Sequence, residues 1–122
     1  MADYTFYTNP MSRGQIVRWA LHEAGADYDT VLVDWTDKPE GLTRANPLAK
    51  VPTLIHHHGG HDHTITEGAA ICHYLAEMSA PDLLPGAHEK ADYFRYLFFA
   101  AGPAEQAIVA RSMGWTVDDP QR

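Results

Sequence analysis

The spacing of apolar and polar residues predicts a strand, a helix and a second strand at the start of the chain. Residues 4–8 form a short β-branched and aromatic run before a proline turn, which is typical of a strand. Apolar residues then recur at three- and four-residue steps, and this period predicts an amphipathic helix that Ser12 or the turn before it caps and that Gly25 ends. A second strand is predicted at 28–33, followed by a loop with one helical turn at 35–45.

The middle of the chain predicts a proline-led turn, a hairpin and a helix. Two prolines bracket a short turn at 47–52, and proline is tolerated at the first residue of a strand but not in its middle. Gly59-Gly60 separates two strand-like runs, which is a hairpin signal. A helix is predicted over 67–78, with Thr66 as its N-cap and an acidic residue in the first turn, where the helix dipole favours it.

The end of the chain predicts a linker and one more helix. Residues 79–86 contain two prolines and a glycine, the strongest linker signal in the chain. From about 88 to 112 the apolar pattern is helical again, with Pro103 expected to kink or divide the helix. We therefore expect a domain over residues 1–80, a linker over 81–87, and over 88–122 the beginning of an all-helical domain that is apparently truncated.

Composition excludes several classes of function. The chain has 122 residues, 45% of them hydrophobic, and a formal charge of −7 from 9 basic and 16 acidic residues. An acidic chain of this kind is not expected to bind nucleic acid or an anionic membrane. Cys72 is the only cysteine, so neither an internal disulfide nor CxxC redox chemistry is available. There is no long apolar run and no signal peptide at Met1, which leads us to expect a cytoplasmic protein.

Three segments carry a resemblance to a known family. Residues 9–13, 46–54 and 66–76 have the order and spacing of the N-terminal domain of bacterial-type glutathione S-transferases, and the likeness extends over about 4–78. The resemblance implies an α/β fold: a thioredoxin-like βαβ-ββα domain, followed by the first helix of an all-α domain.

The same resemblance implies how glutathione is bound. A cis bond before Pro52 would present the main-chain N–H and C=O of Val51 as an unpaired strand edge, to which an extended cysteinyl peptide can pair. Glu67 and Gly68, at a helix N-terminus, would receive the γ-glutamyl carboxylate, and Lys50 would meet the glycyl carboxylate. Many relatives carry serine where this chain has Gly68, so one hydroxyl donor is absent here.

Ser12 is the candidate that stabilises the thiolate. A free thiol has a pKa near ~8.5, and lowering it by ~2 units takes ~2.7 kcal/mol. A hydroxyl that donates to the anion contributes ~1.5–3 kcal/mol, and a helix N-terminus adds up to ~2 kcal/mol. Tyr7 and Arg13 are competing candidates, and the alternative role for Ser12 is that of a helix cap.

The resemblance implies a transferase whose bound glutathione thiolate attacks a small electrophile. It also implies a homodimer, with glutathione as co-substrate and no metal or other cofactor. The alternative is a non-catalytic interaction module that keeps the fold without the chemistry. The electrophile itself is not identified by the sequence, because in this family the second domain builds most of the acceptor pocket.

A run of histidines and the single cysteine need separate interpretation. His56 to His63 contains five histidines, and alternate residues of a hairpin share a face, so a metal site is one hypothesis. The favoured prediction is no functional metal site, because an exposed hairpin holds ligands loosely. For Cys72 a small buried hydrophobe is expected rather than a nucleophile.

Overall fold

The computed structural model of this protein describes residues 1–116 and residue 118. These residues form two compact units, Met1–Leu84 and a second unit that begins at Pro85. All of the predicted site residues lie in the first unit.

The first unit is built on one mixed four-stranded sheet. Its strands are ordered β2-β1-β3-β4; β1 pairs in parallel with β2 and antiparallel with β3, and β3 pairs antiparallel with β4. The four strands are β1 (Tyr4–Thr8), β2 (Tyr28–Leu32), β3 (Thr53–His58) and β4 (His61–Thr66). The predicted hairpin is confirmed, since Gly59 and Gly60 both have positive φ, 63° and 77°, as a two-residue hairpin turn requires.

Helices cover both faces of this sheet. Side chains from α1 (Gly14–Glu23) and α3 (Gly68–Ser79) pack on one face in a core with those of the strands: Tyr4, Phe6, Val17, Leu21, Leu54, Ile71 and Leu75. On the other face, Leu42 from the short helix α2 (Glu40–Ala45) packs with Tyr7 and Val33. The alternation of Phe6 and Tyr7 between the two cores follows from the two-residue period of a strand. The predicted thioredoxin-like α/β fold is confirmed.

The two long helices differ in how closely they match the prediction. The end of α1 is as expected: Gly25 has φ 62°, and the N–H of Ala26 reaches back to the carbonyl of Leu21 at 3.1 Å, which is a glycine-terminated helix end. The predicted N-cap of α3 is wrong. The cap position belongs to Glu67, at φ 73° and with no side-chain capping bond, and no acidic residue lies in the first turn.

In the second unit, proline divides the predicted helix as expected. The helix α4 (Lys90–Phe99) is followed by a π-helical segment (Ala100–Ala104) and by α5 (Glu105–Met113). Pro103 lies inside the π-helical segment, because it lacks an N–H and its ring clashes with the carbonyl four residues earlier. None of the helices in residues 1–116 is long and apolar enough to cross a membrane.

Candidate functional site

The register of the sheet brings the three predicted site segments to one end of the first unit. Tyr7 in β1 lies opposite Thr53 in β3, and Thr53 also lies opposite Thr66 in β4. Neighbouring strands are about 4.8 Å apart. The turn after β1, the turn before β3 and the segment after β4 therefore meet at the same edge of the sheet. These are the segments that contain Ser12, Val51 and Gly68.

Val51 presents an unpaired main chain at this edge. The Val51–Pro52 peptide bond is cis, and the strand β3 begins immediately afterwards, at Thr53. Among residues 1–116 and 118, the N–H and C=O groups of Val51 have no hydrogen-bond partner. A donor and an acceptor on one residue are the pair that an added antiparallel strand uses.

The turn before Val51 is held by the side chain of Asn46, which the sequence prediction did not single out. Asn46 is only 8% exposed, and its amide nitrogen donates to the Lys50 carbonyl at 3.4 Å and to Thr53 Oγ1 at 3.2 Å. Its amide oxygen accepts the N–H of Leu48 at 3.1 Å. An asparagine directly before a proline is the sequence signal that would have found it, since such residues often bond to their own turn.

A second missed residue is Lys38, in the segment between β2 and α2. Its ammonium group donates to the carbonyl oxygen of Ala49 at 3.0 Å, so it braces the same turn from outside. The side chain of Lys50 is exposed, and its carbonyl accepts the Thr53 hydroxyl at 2.7 Å. Two lysines are therefore associated with this turn: Lys50 lies in it, and Lys38 is bonded to it.

The N-terminus of α3 supplies unpaired N–H donors. No side chain caps the helix, and within the described part of the chain the N–H groups of Gly68, Ala69 and Ala70 have no acceptor. The helix has 12 residues, so its dipole adds positive partial charge at this point. These groups together can bind a carboxylate.

Backbone strain is concentrated at the same edge. Ala49 and Glu67, at φ 50° and 73°, are the non-glycine residues with positive φ among those that the structure describes. Such conformations are uncommon for residues with a side chain, and they recur at ligand sites. One precedes the Val51 turn and the other precedes α3.

Ser12 lies in the turn after β1 with its hydroxyl group already engaged. The hydroxyl donates to the Asn9 carbonyl at 2.6 Å and accepts the N–H of Gly14 at 3.0 Å. It therefore caps the first N–H of α1 although Arg13 occupies the formal cap position. A thiolate at this point would compete with the Asn9 carbonyl for the proton of Ser12.

The competing candidates are placed differently. Tyr7 is buried in the core beneath α2, and its hydroxyl lies so close to Gly41 that any side chain there would overlap it. Arg13 has an exposed side chain at the start of α1 and forms no capping bond. Ser12, by contrast, is bonded through its side chain to both Asn9 and Gly14.

Two histidines of the hairpin, His56 and His58, stack on each other, and the other histidine ring pairs are tilted. His56 and His58 have ring centroids 4.9 Å apart, and His56 Nδ1 lies 2.7 Å from the Tyr74 hydroxyl. Burial, and to a smaller extent the neighbouring His58 and His63, lower the pKa of His56. Within the described residues, no three potential ligands are grouped so that they could hold a metal ion.

Cys72 lies on α3 and is half-buried. Burial raises the pKa of its thiol, which disfavours the reactive thiolate. These are the surroundings of a packed side chain rather than of a nucleophile.

Comparison with known protein families identifies the family of this chain. The family model for the glutathione S-transferase N-terminal domain matches residues 2–77. The chain belongs to this family. Glutathione S-transferase 1 of Schizosaccharomyces pombe is 38% identical over an alignment of 104 positions, which covers 79% of this chain and 44% of that protein. Disulfide-bond oxidoreductase YfcG of Escherichia coli is 32% identical over 79% of this chain and 47% of that protein.

Solved structures of glutathione transferases share the fold. Glutathione S-transferase-I, bound with the ligand lactoylglutathione, has a TM-score of 0.74 at 27% identity over 98% of this chain and 62% of that one. The transferase URE2P6 from Phanerochaete chrysosporium, in complex with oxidised glutathione, has a TM-score of 0.73 at 28% identity over 83% of this chain and 49% of that one. The chain spans about half the length of the curated relatives that it matches.

Proposed function

We propose that this chain binds glutathione and promotes the attack of its thiolate on a small electrophile. One observation carries the proposal: the register of β1, β3 and β4 brings the Ser12 turn, the Val51 edge and the α3 N-terminus together. These three features can hold the thiol, the cysteinyl main chain and a carboxylate of one extended tripeptide.

The ends of glutathione suit the charges at this edge. The γ-glutamyl end carries a carboxylate and an ammonium group; the unpaired N–H groups at Gly68 would bind the former, and the exposed Glu67 would attract the latter. The glycyl carboxylate would lie beside the turn that contains Lys50 and to which Lys38 is bonded. The cysteinyl N–H would donate to the Val51 carbonyl, and the Val51 N–H would donate to the cysteinyl carbonyl, as in an added antiparallel strand.

The contribution of Ser12 is a difference between two hydrogen bonds. Its proton is donated to the Asn9 carbonyl, a neutral bond that contributes about 0.5–1.5 kcal/mol, whereas a bond to a thiolate contributes about 1.5–3 kcal/mol. The Ser12 hydroxyl therefore bonds to the thiolate in preference to the Asn9 carbonyl. The net stabilisation of the thiolate is about 1–1.5 kcal/mol, which lowers the pKa of the bound thiol by roughly one unit. The remaining stabilisation would come from the helix dipole of α1.

Replacing Ser12 by alanine should therefore raise the pKa of the thiol of bound glutathione by about one unit. The affinity for glutathione should stay nearly constant, because the main-chain contacts remain. Thiolate absorbance in the ultraviolet, followed against pH at saturating ligand, measures this pKa, and Ser12→Thr is the control that keeps a hydroxyl. An unchanged pKa in Ser12→Ala would transfer the role to Tyr7, Arg13 or main-chain N–H groups.

Replacing Gly68 by serine should increase the affinity for glutathione. A Cβ at Gly68 meets no atom within 4 Å, and a hydroxyl there adds one donor at the end of α3, worth about 0.5–1.5 kcal/mol or roughly a two- to tenfold lower Kd. Isothermal titration calorimetry gives the Kd, and Gly68→Ala separates the hydroxyl from the added Cβ. Equal affinity in the serine and alanine variants would argue against a carboxylate at this helix end.

Disulfide chemistry is the second candidate, because the relative from Escherichia coli is a disulfide-bond oxidoreductase. The thiol of Cys72 is half-buried and its pKa is raised, so the reacting thiolate would again be that of glutathione. Assays of conjugation to a generic electrophile and of reduction of a mixed glutathione disulfide distinguish the two reactions. A non-catalytic interaction module would bind glutathione and perform neither.

We also propose that residues from 88 onward begin an all-helical domain and that the protein forms a homodimer in the cytoplasm. No residue of α4, of the π-helical segment or of α5 is buried, and Tyr96, Phe98 and Phe99 are each more than half exposed. Apolar surface of this extent is seldom left open. Light scattering coupled to size-exclusion chromatography tests the dimer: a monomer at all concentrations would contradict it.

Binding to immobilised glutathione is the simplest test of the proposed function. We expect the chain to be retained on the resin and eluted by free reduced glutathione. No retention, together with no binding in solution at millimolar glutathione, would overturn the proposal.

A further inference from the structure

The two asparagines that precede a proline in this chain form the same kind of turn. Asn9 accepts the N–H of Met11 at 2.8 Å through its side-chain oxygen, and Asn46 accepts the N–H of Leu48 at 3.1 Å in the same way. In each turn the bond spans two residues across the proline, which is an Asx turn. The proline fixes φ at the position between them.

Each asparagine also ties its turn to another part of the fold. The amide nitrogen of Asn9 donates to the carbonyl of Val33 at 2.9 Å, just after β2. The amide nitrogen of Asn46 donates to the carbonyl of Lys50 and to the hydroxyl of Thr53, at the start of β3. Both side chains therefore join a turn to the end of a strand, so the turns are fixed relative to the sheet.

The two asparagines hold different parts of the proposed site. The main-chain oxygen of Asn9 accepts both the N–H of Ser12 at 3.0 Å and its hydroxyl at 2.6 Å. The Asn46 amide is bonded to groups on either side of Val51, at Lys50 and Thr53. Thus one asparagine holds the turn that carries the Ser12 hydroxyl, and the other holds the main-chain edge expected beside the cysteinyl residue.

We infer that Asn9 and Asn46 are positioning residues with separate roles: Asn9 acts on the reactive thiol through Ser12, and Asn46 acts on glutathione affinity through Val51. This inference rests on the proposed function. When the Ser12 hydroxyl turns from the Asn9 carbonyl to a glutathione thiolate, its distance from the sulfur still depends on the position of the turn, which the Asn9 side chain fixes through its bonds to Met11 and Val33. A glutathione main chain beside Val51 meets a donor and an acceptor whose spacing depends on Asn46.

The test measures two quantities in two variants of the full chain. For Asn46→Ala we expect the Kd for reduced glutathione to rise about tenfold or more, with the pKa of the bound thiol within a few tenths of the original value. For Asn9→Ala we expect the reverse: a Kd within about twofold, and a bound-thiol pKa higher by about half a unit to one unit. If conjugation activity is present, the same division appears as a KM effect for Asn46 and a kcat effect for Asn9.

A matched control separates positioning from general loss of stability. Leu21 is fully buried in the core at the far end of α1, so Leu21→Ala should lower Tm at least as much as either asparagine change while leaving Kd and thiol pKa unchanged. All binding is measured at a temperature where circular dichroism shows each variant fully folded. If Asn46→Ala does not fold, Thr53→Val breaks the same network from its other side and should raise the Kd in the same direction.

The possible results separate this inference from the proposed function. Lower Tm with unchanged Kd and thiol pKa in both variants would overturn the inference, since both asparagines would then be merely structural. Equal effects of both variants on the same quantity would overturn the division of roles. If the original chain itself does not bind glutathione, the proposed function fails first and the inference falls with it.

Discussion

Substituting alanine for Gly14 should destabilise the first unit by about 2 kcal/mol and lower Tm by roughly 8–16 °C. A Cβ at Gly14 would overlap Thr8 Oγ1 and lie only 3.0 Å from both Thr8 Cβ and Ser12 Oγ. Thr8 is 3% exposed, and a β-branched side chain on a strand has little freedom to move aside. The start of α1 would have to shift away from β1. Thermal unfolding followed by circular dichroism measures the change.

Gly68→Ala is the control for this experiment. Gly68 also lies at the first position of a helix, and a Cβ there has open space. Alanine at Gly68 should leave Tm unchanged or raise it slightly, since alanine favours a helix over glycine. A similar Tm for the two alanine variants would mean that α1 does not approach β1 as closely as the structure has it.

Methylating the cysteinyl amide nitrogen of glutathione should weaken binding roughly 5- to 100-fold. The main chain of Val51 cannot be removed by mutation, but its partner on the ligand can be changed. The methyl group deletes the N–H that would donate to the Val51 carbonyl, and it leaves that acceptor unsatisfied inside the complex, at a cost of about 1–3 kcal/mol. Calorimetric titration with glutathione and with its cysteinyl N-methyl analogue gives the ratio of the two Kd values.

A glutathione analogue methylated at the glycyl nitrogen is the matched control ligand. It adds the same methyl group and keeps the cysteinyl N–H, so it should bind far better than the cysteinyl analogue. Equal losses for the two analogues would show that the ligand does not pair with Val51 as an added strand.

The sequence predicted most of the fold because local signals and hydrophobic periodicity agreed. The β-branched and aromatic run at 4–8, the glycine pair at 59–60 and the position of Pro103 each favour one local structure through a nearby steric or hydrogen-bonding constraint. The start of α3 was predicted wrongly for a physical reason. Thr66 is a good capping residue in isolation, but it is the last residue of β4, where pairing with Thr53 fixes it.

The site could be predicted only in part. The segments around Ser12, Val51 and Gly68 are visible as motifs, but their meeting at one edge depends on strand register, which links residues more than forty positions apart. The Asn-Pro pair indicates the turn bond of Asn46 to Leu48, but the bonds of Asn46 to Thr53 and of Lys38 to Ala49 join different segments, and no local pattern encodes them. Likewise, the Ser12 hydroxyl donates to the Asn9 carbonyl, and this bond is apparent only from the folded structure of the turn.

Titration of reduced glutathione into the isotope-labelled full chain, followed by nuclear magnetic resonance of the backbone amides, shows whether the ligand binds at the Val51 turn and at the start of α3. We expect saturable shifts at the amides of Val51 and of Gly68 to Ala70, with protection of the Val51 N–H from exchange. Shifts confined to the second unit, or none at millimolar ligand, would contradict it.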